Sequence, residues 1–452
     1  MYVYELHLGQ HMVLNTGLPV QNLCSSSGDV ELLNQECFCL SLDRKALAEA
    51  LDAELGTTEL STLVQERCPY LFASQPVFVG AQHTRQMAEV VRAVESVVAM
   101  PQYRELVLAG SPTVAQLAPT GALGVFFGYD FHLIDGHLGL IEINTNAGGA
   151  MLNAVMARAH RACCADLGAM APTPAEIESF EKAIVGMFRH EWALAGRTGP
   201  LKTIAIVDSS PRDQYLYPEF LLFQKLFERH GLHTIIADPS EFEWRDGALR
   251  HGIQVVDLVY NRLTDFYLEL PESSALREAY LLEGIVLTPH PQAHALYANK
   301  RRLALLSDAR QLEGLGVPPS VQKILLENIP RTEVVEASDA QRLWTARRSL
   351  FFKPVAGFGS RAAYRGDKLT KGVWQDILAG DYVAQEMVKP GARSTGRVDS
   401  PVSMKFDLRA YAYNASVQWL SARVYQGQTT NFRTSGGGFA PIYTTPNASV
   451  GQ

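Results

Sequence analysis

The chain reads as a mixed α/β and α+β protein of about two or three domains, and three observations predict this. Its 452 residues exceed what one ordinary core holds. From Leu201 onward, short apolar runs alternate with helical stretches, the pattern of a parallel sheet. Elsewhere, alternating strands flank tight turns and predict antiparallel hairpins.

Composition narrows the class. Hydrophobic residues make up 47% and charged residues 19%, values of a soluble globular protein and not a disordered one. The formal net charge of −7, from 40 basic and 47 acidic residues, argues against general nucleic-acid binding but leaves room for a local phosphate site. Six cysteines form no C-x-x-C pair; Cys37-x-Cys39 and Cys163-Cys164 read as packing residues in a reducing compartment. Met1–Glu5 has no basic segment leading into an apolar one, and no run reaches the ~18 apolar residues of a membrane span. The expectation is a cytoplasmic protein with no membrane or nucleic-acid partner.

In chain order, residues 1–80 suggest no chemistry of their own, although Leu47, Leu51 and Leu55 form a helical stripe within 42–55. Met87, Val90, Val91, Val94 and Val98 predict a helix over 83–100, and Leu123–Phe127 has a buried-strand pattern. Gly128–Leu133 and Ile141–Asn146 read as a hairpin pair with Asp135-Gly136 in a turn. Strand alternation puts Ile141 and Ile143 on one face and Glu142, Asn144 and Asn146 on the other. The hairpin can gather Asp130, Glu142 and Asn144, hard oxygen ligands suited to Mg2+ beside a phosphate. A half-solvated polar strand face accounts for the same residues equally well. A helical stretch follows Ala150, and Thr173-Pro174-Ala175-Glu176 is a capping box opening a helix to about Ala195. Gly196–Pro200 then breaks the chain and marks a domain boundary.

Strands are expected at 204–207, 234–237, 255–260 and 285–287, with a helix over 218–230 that Gly231 stops. In such a sheet, ligands bind at the strand C-terminal ends, where Asp208, Asp238, Asn261-Arg262 and His290 fall. Arg262 suits bidentate binding of a carboxylate, or equally a surface ion pair. Asn299-Lys300-Arg301 starts another helix. Strand 349–354 ends in Lys353-Pro354 and feeds Val355–Arg361, where Gly357, Gly359 and Ser360 allow backbone N–H groups to turn toward an anion. A plain strand–turn–strand hairpin has the same look. Gln385-Glu386-Met387-Val388 ends a further strand. Asp407, Arg409 and Tyr411 share one face of the next, and Arg423 lies on its partner. The polar loop 429–438 carries Asn431 and Arg433. Taken singly, Arg409 and Arg423 read as solvated strand residues; with Asn431, Arg433 and the glycine run, the set favours an anion.

These residues resemble the ATP-grasp ligases, glutathione synthetases most of all. Lys300, the Lys353 loop, Gln385–Val388, Asp407-Leu408-Arg409, Ala422-Arg423 and Thr430-Asn431 follow that family's order. The metal strands that finish such chains are not found after Asn431. They look instead like Gly128-Tyr129-Asp130 and Glu142-Ile143-Asn144, as in the circularly permuted group related to glutathionylspermidine synthetases. The resemblance implies an ATP-grasp fold with residues 81–196 as a permuted lobe segment, a Rossmann-like domain at 201–295 and nucleotide-binding lobes at 296–452. It implies Mg2+ on Asp130, Glu142 and Asn144, and ATP on Lys300, Lys353, Gly357, Gly359, Ser360, Gln385, Glu386, Met387 and Val388. Arg409 and Arg423, with Asn431, would stabilise the transferred phosphoryl group, and Arg262, His290 and Arg433 are candidate substrate contacts. The implied activity is ADP-forming ligation of a small-molecule or peptide carboxylate to an amine; the alternative is an ATP-binding regulatory or assembly protein with little turnover. Related ligases are often dimers or tetramers, so a homo-oligomer is compatible.

Overall fold

Alternating apolar residues bury one face of a strand, and three groups of such strands form the main sheets of the computed structural model. The structure describes residues 30–38, 40–117, 121–161, 168–357, 362–397 and 399–446. Gly359 and Ser360 lie outside them.

The seven-stranded sheet carries the site. Its main order is Val77–Gly80, Gly438–Thr445, Ser416–Tyr425, Ser400–Tyr413, Phe127–Ile134 and His137–Asn144. Gly391–Arg397 pairs with the first half of Ser400–Tyr413. Only Val77–Gly80 pairs in parallel, with Gly438–Thr445. Both central hairpins turn through positive φ: Asp135 (49°) with Gly136 (76°), and Asn414 (49°) with Ala415 (60°). The amphipathic helix Ala81–Val98 covers one face of the sheet with Met87, Val90, Val94 and Val97.

Four parallel strands form the second sheet, in the order Val286–Thr288, Leu258–Asn261, Thr203–Val207, His233–Ala237. Helix Tyr217–Arg229 packs against it and ends at Gly231 (φ 78°). The third sheet is antiparallel: Thr332–Val334, Tyr382–Glu386, Leu350–Pro354, Tyr364–Arg365. A smaller antiparallel sheet spans Phe242–Arg245, Ala248–His251 and Gln254–Val255. The helix Pro174–Leu194 has the expected capping box at Thr173 and Glu176. One apolar core runs from Leu47 and Phe188 to Ile204 and Phe220, so packing is continuous across the Gly196–Pro200 break. Among the described residues, no helix is long and apolar enough to cross a membrane.

Three local expectations change. Leu123–Phe126 is not a strand. Glu191 accepts from Leu123 N (3.0 Å) and Gly124 N (2.9 Å), and Phe126 takes a φ of 53°, so apolar burial there comes without a ladder. The run 255–260 divides because the Asp257 carboxylate accepts from Lys202 N and Thr203 N, leaving Gln254–Val255 and Leu258–Asn261 in different sheets. Finally, Ile141 and Ile143 do not share a face. A β-bulge pairs Asp130 with Glu142 but Phe131 with Leu140, leaving Ile141 as the extra residue. Leu138, Leu140 and Ile143 consequently reach the core.

Candidate active site

The bulge decides where the charged groups point. It keeps Glu142 opposite Asp130, and Asn144 opposite Gly128. Asn144 Nδ2 donates to Asp130 Oδ2 at 3.0 Å. Asp130, Glu142 and Asn144 are therefore gathered as strand alternation predicts.

The neighbouring strand supplies the arginines. Arg409 is Asp130's cross-strand partner and grips it side-on, Nε to Oδ1 at 2.6 Å and Nη2 to Oδ2 at 2.7 Å. One strand further, Arg423 pairs in register with Asp407. Its Nε donates to Asp407 Oδ1 (2.7 Å) and its Nη2 to Asp130 Oδ2 (2.9 Å). Thr430 Oγ1 donates to the other Asp407 oxygen. Asp130 is only 1% exposed, and burial opposes its ionisation, yet Arg409 and Arg423 outweigh burial and hold its carboxyl below the usual range. Burial likewise disfavours the Arg423 charge, but Asp130 and Asp407 raise its pKa above the ordinary arginine value. Gly128 makes the approach possible: a Cβ there would lie 3.0 Å from Arg409 Nε and 2.6 Å from Ala147 Cβ. Behind this array, the Tyr411 hydroxyl donates to Gly148 O at 2.8 Å.

Two lysines reach the same hairpin from the other side. Lys300 Nζ lies 3.0 Å from Glu142 Oε1 and donates to Gly357 O at 2.8 Å. Lys353 Nζ donates to Ile141 O and Gln385 Oε1, both at 2.8 Å. Burial, with Lys300 nearby, pushes the Lys353 pKa down to about 8 even though Glu142 acts the other way. Burial also opposes the Glu142 charge, but Lys300 and Lys353 hold that carboxyl below its usual range. Four cations (Lys300, Lys353, Arg409, Arg423) thus face three carboxylates (Asp130, Glu142, Asp407), a local excess of one positive charge that suits an anion.

The oxygens set the fit of a hard cation. Asp130 accepts four donors from Arg409, Arg423 and Asn144, three at Oδ2 and one at Oδ1, so it anchors the arginines while Oδ1 keeps a lone pair for a further partner. Among the described residues, no hydrogen bond engages Glu142 Oε2 or Asn144 Oδ1, and these oxygens fit Mg2+. No cluster of three or more His, Cys, Asp or Glu ligands occurs among the described residues.

The structure gives the other expected residues the following surroundings. Asn431 caps its own loop, donating to Gln426 O and Thr429 O and accepting from Arg433 N, while Arg433 is exposed. Arg262 is buried and donates to Ala147 O and Tyr260 Oη, both at 3.1 Å, which braces the turn after the hairpin. His290 caps a helix start: Nδ1 accepts from Ala293 N, and Nε2 donates to Ala122 O. Gln385 serves Lys353 and donates to Thr332 Oγ1, so its side chain faces the sheet and not a ligand. Glu386 is exposed, and Met387 and Val388 are partly buried at the seam between sheets. His132 and Glu219 escaped the sequence reading. Glu219 accepts from Gly149 N (2.8 Å) and Met151 N (3.2 Å), holding the Gly-Gly turn; that turn was the available signal.

No protein-family model matches this chain, and no curated protein does. Among solved structures, a glutathione synthetase-like effector from Globodera pallida matches at 11% identity, covering 89% of this chain and 97% of its own, with a TM-score of 0.53. A protein described as a gamma-glutamylcysteine synthetase from Methylobacillus flagellatus KT matches at 11% identity over 81% and 89%, with a TM-score of 0.46. The ATP-grasp ligase PsnB, complexed with a minimal precursor, matches at 14% identity over 54% and 90%, with a TM-score of 0.30. The chain has the ATP-grasp fold. The first of these likenesses, at 11% identity, is a likeness of fold over most of both chains.

Proposed function

We propose that this protein is an ADP-forming, ATP-dependent carboxylate–amine ligase working through an acyl phosphate, with a circularly permuted chain order. The observation that carries the reading is the convergence of Lys300 and Lys353 on Glu142 and Ile141, beside the Asp130–Arg409–Arg423–Asp407 array. In support of the permutation, strand Phe127–Ile134 pairs with Ser400–Tyr413 from the far end of the chain. Residues 201–295, with their parallel sheet, would be the Rossmann-like part.

In this mechanism the lysines would hold the ATP phosphates, and Asp130 through Oδ1, Glu142 and Asn144 would hold Mg2+, which when bound would supply charge neutralisation there. A substrate carboxylate oxygen attacks the γ-phosphorus and ADP leaves. The amine then attacks the acyl carbon, phosphate leaves, and the nitrogen loses its proton. Arg409 and Arg423, already oriented by Asp130 and Asp407, supply fixed positive charge as the phosphoryl group moves, so catalysis is positioning and electrostatics. The backbone of Glu386–Val388 borders the base.

The test is release of ADP and phosphate with Mg2+ across a panel of amino acids, peptides and polyamines. Release that requires both an acid and an amine, with an amide product lighter by one water than the two substrates together, supports the ligase. ATP-induced thermal stabilisation with no ATP consumed over long incubation replaces it with a binding role, and a stable phosphorylated product replaces it with a kinase.

A further inference from the structure

We propose that His132 is a positioning residue for the nucleotide base, seating Val388 so that the segment after strand Tyr382–Glu386 meets the purine in one register. The inference rests on the ATP-binding reading above. Two backbone donors of this segment are already engaged, Glu386 N with Arg331 O (2.8 Å) and Met387 N with Ser349 O (2.9 Å). Val388 N carries no hydrogen bond among the described residues. It is therefore the segment's open donor, the group a purine ring nitrogen would accept from.

Val388 lies beyond the end of its strand, so no ladder bond orients it. The hairpin does so instead. His132 Nδ1 donates to Val388 O at 2.6 Å. Gly139 is the cross-strand partner of His132, and a Cβ at Gly139 would fall 2.9 Å from Val388 Cγ2. The pair forms a seat with a hydrogen bond on one strand and bare backbone on the other. Fixing the carbonyl of residue 388 limits where its own amide can turn, because both move with that residue's φ and ψ. The same hairpin meets Lys353 at Ile141 and Lys300 at Glu142. One rigid element thus spans the base end and the phosphate end of the site, and His132 sets the base end.

The experiment compares Mg-ATP and Mg-GTP affinity by calorimetry in the full chain and in His132→Leu, His132→Asn and His132→Gln, with hydrogen exchange at the Val388 amide and thermal melting alongside. Asn places its amide nitrogen near the Nδ1 position and Gln near the Nε2 position. His132→Leu and His132→Gln are expected to lose ATP affinity by about five- to tenfold, the scale of one hydrogen bond, with a smaller change for GTP. His132→Asn is expected to restore the ATP preference, and exchange at Val388 to be faster in the Leu and Gln variants only. Should His132→Leu not fold, the Asn and Gln pair decides. An unchanged ATP-to-GTP ratio in the Gln variant, or equal loss in the Asn and Gln variants, overturns the role of His132 while leaving the ATP reading intact. Absence of nucleotide binding by the unaltered protein overturns both.

Discussion

Two buried arginine centres in this protein are built on opposite principles. Arg393 is fully buried, and its guanidinium donates only to main-chain carbonyls: Pro76 O at 2.7 Å, Asn34 O and Ser394 O at 2.8 Å, and Cys37 O at 2.7 Å. Arg409 and Arg423 are held by the carboxylates of Asp130 and Asp407. Neutral acceptors satisfy the donors of Arg393 but do not offset its charge, so burial pushes its pKa down to about 10. Carboxylates do the reverse for Arg423. The first centre is a fastener that ties Asn34–Cys37 and Pro76 to strand Gly391–Arg397. The second keeps fixed charges aligned beside the proposed phosphate site. Hydrogen bonding alone suffices for docking a segment; holding several buried charges together needs counter-charge.

The comparison can be broken at several points, the largest effect coming from the ion-paired centre. Asp130→Asn leaves two buried guanidiniums undercompensated and is expected to destabilise the fold by about 4 kcal/mol in urea unfolding; a loss below about 1 kcal/mol would show that Asp130 is not their anchor. Its pH signature follows from sign. The folded pKa lies below the unfolded value, so the stabilisation is present above the ordinary carboxylate pKa near ~4 and is lost as pH falls through the folded value. Acid unfolding of Asp130→Asn should accordingly be shallower than that of the unaltered protein.

At the fastener, Arg393→Met orphans several buried carbonyls and is expected to lose about 3 kcal/mol, with the 30–36 segment becoming sensitive to proteolysis. Nucleotide affinity should survive in the folded fraction; a specific loss of ATP binding would collapse the distinction between the two centres. Glu142→Gln should cut Mg-dependent ATP use by about tenfold, equivalent to ~1.4 kcal/mol. Its side chain is 28% exposed, so stability should shift by less than about 1 kcal/mol. Full turnover in this variant would remove Glu142 from the metal site. The smallest effect is a pH dependence. Lys353 is protonated below its pKa of about 8 and neutral above it, so nucleotide affinity should decline by severalfold as pH rises through 8. Lys353→Met should bind more weakly and lose that slope.

Much of the fold was legible because its signals are local. Asp135-Gly136 marks a turn, Thr173 and Glu176 mark a helix start, and alternation placed Asp407, Arg409 and Tyr411 on one face. Strand Val77–Gly80 was not read, since it is a four-residue run whose partner, Gly438–Thr445, lies hundreds of residues away. In the site, Glu142, Asn144, Lys300 and Lys353 were reachable through residue type and order. His132 was not: a lone histidine on a strand carries no signal until Val388, 256 residues later, is seen against it.

Where strand pairing is regular, the sequence by itself determined which residue types line each face, because side-chain alternation depends only on neighbours two residues apart. It therefore brought carboxylates, arginines and lysines into consideration together. Only the tertiary structure decided which charge offsets which. A single bulge residue, Ile141, reset the phase of one strand, and Arg423 met Asp130 across 293 residues of chain. Electrostatic pairing acts through space, and that pairing made Asp130 the anchor of two arginines.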